Sequence, residues 1–172
     1  IEYIIIDGAS TDSTLKIVEQ YGHRVTTLIS QKDKGIYDAL NKGIALATGD
    51  VVGFLHSDDL FADDKVLSRI AAEFSKESID AIYGDLHYVS KFDTTKIIRK
   101  WISGNFNRSK LSKGWMPPHP TFYMKHEKYS CLGAFDLNFS ISADYDSILR
   151  YLWKHNLAVR YIPEVLIKMR TG

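Results

Sequence analysis

The sequence predicts an α/β domain with a mostly parallel central sheet and a mixed-sheet C-terminal half. Three observations predict it. The run Val51-Val52-Gly53-Phe54-Leu55-His56-Ser57-Asp58-Asp59-Leu60-Phe61 turns from apolar to acidic. It reads as a buried strand carrying two carboxylates to its C-terminal tip, where parallel α/β sheets bind ligands. Ahead of it, strand and helix patterns alternate as β-α-β-α-β, an order that favours parallel pairing through crossover connections. Beyond residue 80 the alternation gives way to strand-strand pairing, with no linker rich in Pro, Gly or Ser to separate two domains.

Glu2-Tyr3-Ile4-Ile5-Ile6 is too short and too apolar for a surface helix, so Ile1 to Ile6 reads as a buried strand. Asp7-Gly8-Ala9-Ser10 turns the chain, and Ser10 or Thr11 is placed to cap a helix over 12–20, ended by Gly22. A carboxylate at a strand tip beside a Gly turn and a helix start is a recurrent place to meet a nucleotide, though Asp7 can equally cap its own turn. Val25 to Ile29 forms a second strand, followed by the polar loop Ser30 to Gly35. Ile36, Ala39, Leu40, Gly43, Ile44 and Ala47 recur at three and four and define one helical face, stopped by Thr48-Gly49-Asp50. A third helix starts near Ala62-Asp63-Asp64, with Val66, Leu67, Ile70 and Phe74 inward.

Asp80 to Gly84 is the next strand and leads to Asp85. Leu86 to Ser90 and Lys96 to Trp101 pair across a polar turn. Residues 103–114 form a helix and loop, and Trp115-Met116-Pro117-Pro118-His119-Pro120 is a proline-stiffened segment with one titratable group. Thr121 to Met124 is a short strand and 135–142 a loop. Ala143 opens a helix to about His155, and Val159 to Ile162 and Val165 to Met169 are closing strands.

A length of 172 residues supports one domain, 1–172, with a sizeable core. With 45% hydrophobic residues, 25% charged residues and a net charge of +1, nothing suggests a nucleic-acid footprint. The single Cys131 provides no disulfide framework and reads as a small core hydrophobe. No apolar segment reaches the length of a membrane span, and no signal peptide is visible. The chain opens inside a strand without an initiator Met and closes on Met169-Arg170-Thr171-Gly172, so a longer protein is expected to contain it. Side by side, Asp58 and Asp59 repel unless they are solvated or a divalent cation or proton lies between them.

Five segments, in this order and spacing, resemble the inverting nucleotide-sugar glycosyltransferases of family 2. They are Ile4 to Asp12, Asp33-Lys34-Gly35-Ile36-Tyr37-Asp38-Ala39-Leu40-Asn41-Lys42-Gly43-Ile44, Ala47-Thr48-Gly49-Asp50, Phe54-Leu55-His56-Ser57-Asp58-Asp59, and Ala143-Asp144-Tyr145-Asp146 through Arg150. Within that family the chain is most similar to enzymes of bacterial surface-polysaccharide assembly. The resemblance implies the GT-A fold, a Rossmann-like nucleotide-diphospho-sugar transferase architecture, with a nucleotide-binding half over 1–60 and an acceptor-binding half over 61–172. Family members begin with a strand, a Tyr-Asn loop and a helix before the segment matching Ile4 to Asp12. The sheet is therefore expected to lack one strand and part of its donor pocket.

Glycosyl transfer needs a base and ribose holder, a positive group against the departing diphosphate, a general base and an oriented acceptor. The resemblance implies that Asp7 contacts base or ribose, although the family's second acid is Gly8 here. Asp33 and Lys34 are expected to face the donor pocket, Lys34 as a phosphate partner or a solvated lysine. Asp58 matches the metal-binding acid that ends the family's Asp-x-Asp triplet, whose first position is His56. Mg²⁺ or Mn²⁺ held through Asp58 and the diphosphate is the implied cofactor. By the same resemblance His56 is expected to face sugar or ribose or to ligate the metal, and Asp59 to contact the sugar or support the loop. Asp144 matches the second acid of a Glu-Asp pair, the position of the general base, with Ala143 replacing the Glu. Asp85, Trp115 and His119 are candidates for acceptor or sugar contact, each with an equally open packing role.

The implied partners are a nucleotide-diphosphate sugar, a UDP-sugar first, and a saccharide or lipid-linked saccharide acceptor, at a cytoplasmic location that extends to the inner membrane face. Two rivals stand beside this reading. A sugar-nucleotide pyrophosphorylase would want a Gly-rich, Arg-containing loop after the first strand and gives Asp144 no task. A non-catalytic nucleotide-sugar binding module would cite Gly8, His56 and Ala143. An NAD-binding domain is disfavoured because no G-x-G-x-x-G follows a strand.

Overall fold

The computed structural model describes residues 1–76 and 78–171. In chain order the first elements are β1 (Ile4–Asp7), α1 (Thr14–Gln20), β2 (Thr27–Ser30), α2 (Ile36–Leu46), β3 (Val51–Val52), β4 (Asp59–Phe61) and α3 (Val66–Phe74). They are followed by β5 (Ala81–Ser90), β6 (Ile97–Trp101), α4 (Arg108–Leu111), β7 (Tyr123–Lys125), α5 (His126–Leu132), α6 (Ala143–Leu149) and β8 (Val159–Thr171). Two compact units result, one of residues 1–52 and 126–147, the other of 53–125 and 148–172. Among the described residues no helix is long and apolar enough to cross a membrane.

In the first unit β1 and β2 pair in parallel, Ile4 opposite Thr27 and Asp7 opposite Ser30, as the strand-helix-strand order predicts. Helix α1 starts later than expected. Asp12 accepts from the Thr14 amide and hydroxyl, closing a local turn, while Ser10 is drawn back to Asp7 and caps nothing. Gly43 of α2 lies over Ile6. Asn41 of α2 clamps the backbone of Phe135 in both directions, at 2.9 Å each. Helix α5 has no apolar periodicity in its sequence and buries Tyr129 alone; its Cys131 is exposed, not in the core.

The second unit is organised around β5, whose Ala81, Ile82, Tyr83, Leu86 and Val89 are all fully or almost fully buried. Along one edge β5 pairs antiparallel with β7 and β6, the latter giving the expected hairpin. Along the other it pairs in parallel with β8, which in turn pairs antiparallel with β4. The two closing strands expected from the sequence are one strand, β8, interrupted opposite Gly84 by an irregularity that contains Pro163. Proline cannot donate to a ladder, so a bulge is where a sheet tolerates it. Gly84 is required there: an added Cβ would lie 2.5 Å from Leu166 Cγ and 2.9 Å from the Glu164 carbonyl oxygen. Where the ladder breaks, hydroxyls replace it, Ser103 Oγ and Thr121 Oγ1 donating to the Gly84 carbonyl at 2.8 and 3.0 Å.

Three further sequence expectations are corrected. The run from Val51 is not one strand ending at the acids, because β3 stops at Val52. At Gly53 a Cβ would meet the Tyr123 ring at 2.0 Å, and residues 56–59 then form a turn closed by the Asp59 amide on the His56 carbonyl at 3.0 Å. Asp85 lies inside β5 rather than beyond a strand end. The last helix is α-helical only to Leu149 and continues to Lys154 as a π-helical turn. Gly84→Ala is expected to cost about 1–3 kcal/mol through overpacking against β8, read as a lower denaturant midpoint at unchanged m-value.

Candidate functional site

The first unit holds Asp7, Asp33, Lys34 and Asp144. Asp7 is buried at the end of β1, where Oδ2 accepts from the Ser10 amide at 3.0 Å and the Ser30 hydroxyl at 2.6 Å, and Oδ1 accepts from the Ser10 hydroxyl. Those bonds, Ser10 first and Ser30 second, hold its carboxyl below the usual range. The structure thus gives Asp7 a turn-closing role. Asp33 is paired with Lys42, which also reaches Asp38 at 3.2 Å, and the Asp33 bond holds the Lys42 ammonium above its usual range. Gly8 keeps this loop close, since a Cβ there would lie 3.3 Å from Asp33 Oδ2. The Lys34 amide donates to Asp38 at 3.0 Å, and its side chain is exposed.

Asp144 occupies the first turn of α6, directly after Ser142 with φ +68°. Its Oδ1 accepts from the Tyr37 hydroxyl at 3.0 Å, and the Tyr37 ring packs against Phe135 at 5.6 Å. Burial first, and the Asp144 bond second, push the Tyr37 phenol up, so it stays a donor. Tyr37 is therefore held from two sides, by Phe135 and by the carboxylate.

The second unit holds the other candidates. Asp58 is exposed in the turn and its carbonyl accepts from Arg170 Nε at 2.6 Å. Asp59 is 5% exposed at the start of β4, opposite Met169, and neither carboxylate oxygen has a hydrogen-bond partner. Burial, and then the Asp58 charge, push its carboxyl up to about 6, against the pull of Arg170. Adjacent acids thus sit in opposite environments. The His119 ring stands 5.6 Å from Phe54 and 5.9 Å from His56, so the structure brings these two histidines together.

Asp85 is buried, with Oδ1 accepting from the Ser103 amide and the Tyr161 hydroxyl at 2.8 Å each. Trp115 donates to the Ser103 carbonyl at 3.3 Å and packs edge-on to Tyr83 and against Phe106. Both are occupied in pinning the segment after β6 to β5, which favours the packing role that the sequence left open. Nothing in the sequence patterns marks Tyr37 or Ser103 as a partner of these acids; only Lys42, four residues after Asp38, carries a local signal.

For a divalent cation, no group of three or more His, Cys, Asp or Glu among the described residues could hold an ion unaided. The chemistry of Asp58 and Asp59 still fits one. Mg²⁺-type ions commonly take one or two carboxylates and complete their shell with water and substrate phosphates. An exposed acid beside a buried acid whose oxygens lack donors is such a set.

Residues 1–137 match the protein family described as Glycosyl transferase family 2. The PGL/p-HBAD biosynthesis glycosyltransferase of Mycobacterium bovis (strain BCG / Pasteur 1173P2) is 31% identical over 170 residues, covering 96% of this chain and 63% of that protein. Chondroitin synthase of Escherichia coli is 29% identical over 160 residues, 87% of this chain and 22% of the synthase. The chain therefore spans about 63% or less of the length of these curated relatives. Among solved structures, Staphylococcus aureus TarS 1-349 in complex with UDP-GlcNAc superposes with a TM-score of 0.77 at 18% identity, over 99% of this chain and 50% of that one. The mannosyltransferase PcManGT of Pyrobaculum calidifontis, in complex with GDP-Man and Mn²⁺, gives 0.66 at 18%, over 99% and 47%. These likenesses establish the GT-A fold.

The raised Asp59 carboxyl has a signed consequence. Its folded-state affinity for a proton exceeds the unfolded one, so the stability it contributes is complete below pH 3.8 and lost as pH rises through about 6. In chelator-treated protein, Asp59→Asn is expected to gain up to about 3 kcal/mol over the parent at pH 7 and little at pH 4. Denaturant unfolding across that window measures the difference, and a gap that does not widen with pH contradicts the burial argument.

Proposed function

The chain belongs to glycosyl transferase family 2, and we propose that the protein carrying it transfers a sugar from a nucleotide-diphosphate sugar to a hydroxyl acceptor with inversion. The observation that carries the chemistry is Asp144, a carboxylate at a helix start with one oxygen oriented by the Tyr37 hydroxyl at 3.0 Å. A general base must be fixed in direction before it is useful, and a hydrogen bond to one oxygen does this while the other remains for the substrate. Catalysis by a carboxylate needs no raised pKa when the hydroxyl loses its proton late.

In the proposed reaction the acceptor oxygen attacks the anomeric carbon and passes its proton to Asp144. The bond from that carbon to the diphosphate oxygen breaks on the opposite face, and the nucleoside diphosphate departs. One displacement inverts the centre. Asp58, with Asp59 behind it, would hold a divalent Mg²⁺ or Mn²⁺, whose contribution is to neutralise charge on the leaving diphosphate. Asp7, Asp33, Lys34 and His56 are proposed around the nucleotide and sugar, and His119 toward the acceptor. The backbone and Ser bonds of Asp7 and the Lys42 pair of Asp33 leave these two acids a positioning share in that role.

The donor class draws support from TarS, solved with UDP-GlcNAc, and from PcManGT, solved with GDP-Man and Mn²⁺. A UDP-sugar is the first donor to try. A saccharide or lipid-linked saccharide, met on the cytoplasmic side, is the proposed acceptor.

Asp144→Asn is expected to lower kcat about 100- to 10,000-fold with little change in donor KM. Tyr37→Phe is expected to lower kcat about tenfold, an effect that disappears in the Asp144→Asn background if Tyr37 acts through that carboxylate. Activity retained by a folded Asp144→Asn protein removes Asp144 as the base. NMR of the product's anomeric configuration tests inversion, and a retained configuration contradicts the single displacement.

A further inference from the structure

The β5–β6 hairpin carries a feature that sugar transfer does not use. Its tip, residues 90–96, is a built turn. Asp93 Oδ1 accepts from the Thr95 amide at 3.0 Å and hydroxyl at 2.6 Å, and the Lys96 and Ser90 amides donate to Asp93 and Lys96 carbonyls at 3.0 Å each. This turn presents Phe92 to solvent at 95% exposure, between Lys91 and Lys96. An aromatic ring held out by an ordered turn is available to enter an apolar phase.

The surroundings give that destination a sign. On β6, Ile98 is 54% exposed, at the point where the β5–β6 register shifts. Register places Lys100, His87 and Lys168 in one row across β6, β5 and β8, with Leu60 of β4 next in line and no acid in the row. On the other face, Arg99 lies over the rings of Tyr88 and Trp101 at 5.5 and 5.9 Å. The acid of the turn, Asp93, is held ionised by its Thr95 bonds and sets one negative charge against Lys91, Lys96, Arg99 and Lys100. In a chain of net charge +1, this hairpin concentrates basic residues around protruding apolar ones.

Edge strands often carry Lys and Arg to block pairing with other chains, and that accounts for residues on β6. It does not account for Phe92 and Lys91, which lie in the turn, or Lys168, which lies on an inner strand. A protein partner would require a broad complementary surface, whereas a convex tip with one ring and flanking lysines suits insertion between anionic headgroups.

We propose that the β5–β6 hairpin docks the protein on an anionic lipid surface, Phe92 entering the interface and Lys91, Lys96, Arg99 and Lys100 contacting headgroups. The test is cosedimentation with vesicles of phosphatidylcholine alone or mixed equally with phosphatidylglycerol. The parent protein is expected to bind the mixed vesicles, to bind phosphatidylcholine weakly, and to be released by molar sodium chloride. Phe92→Ser should lower binding several-fold, and Lys96→Glu with Lys100→Glu at least about 25-fold, from about fivefold per lysine lost. Lys91→Glu in the turn is an independent check should the double variant lose its parent Tm. Equal binding to both vesicle types, unchanged binding by the variants, or no binding to the mixed vesicles overturns the proposal. So does a dimer abolished by Phe92→Ser without vesicle binding, which would assign the tip to self-association.

Discussion

Strand β8 passes so close over Gly84 that no side chain fits between them, and the second unit is built around that approach. The crowding forces the β5–β8 register to slip, and the slip strips the Gly84 carbonyl of its ladder partner. Two hydroxyls from distant loops, Ser103 and Thr121, take its place. Ser103 in turn brings its amide to Asp85 and its carbonyl to Trp115. A single steric constraint thereby orders the segment after β6 and the proline-rich stretch that carries His119. Pro163 belongs to the same solution, since the bulge is where an amide is not needed.

The acids of this chain differ less in type than in what surrounds them. Asp7 is hydrogen-bonded by serines and Asp33 is ion-paired with Lys42, and both behave as fasteners of their loops. Asp85 is a fastener too, buried under Ser103 and Tyr161. Asp58 and Asp59 are neighbours in sequence and opposites in environment, one in water and one buried without a donor. The charge of Arg170 opposes the shift at Asp59 and is outweighed by burial. Asp144 is both oriented, by Tyr37, and placed at a helix start. A carboxylate with unmet or directed bonding capacity is the kind available for chemistry; one whose oxygens are consumed is not.

Local signals made the first unit readable. The three-and-four spacing from Ile36 gave α2 to within a residue, and the alternation of strand and helix gave the parallel β1–β2 pair. What escaped depends on partners far along the chain. Val51 to Asp59 looks like one strand until the Tyr123 ring occupies the space over Gly53. Asp85 looks like a strand-end acid until β8 extends the ladder past it. Helix α5 escaped because it buries only Tyr129 and leaves no stripe. The motif acids were legible from spacing, whereas their bonding was not: Tyr37 and Asp144 meet across more than half the chain.

The central claim is that the Asp58-Asp59 turn serves a nucleotide-diphosphate donor. Isothermal titration of UDP, GDP, dTDP and CMP into the complete protein, with and without Mn²⁺ and repeated on Asp58→Ala, tests it most directly. The account predicts that one nucleoside diphosphate binds with Mn²⁺, and that binding weakens sharply without the ion or without Asp58. Failure of every nucleotide to bind folded protein, or binding indifferent to both Mn²⁺ and Asp58, would contradict it.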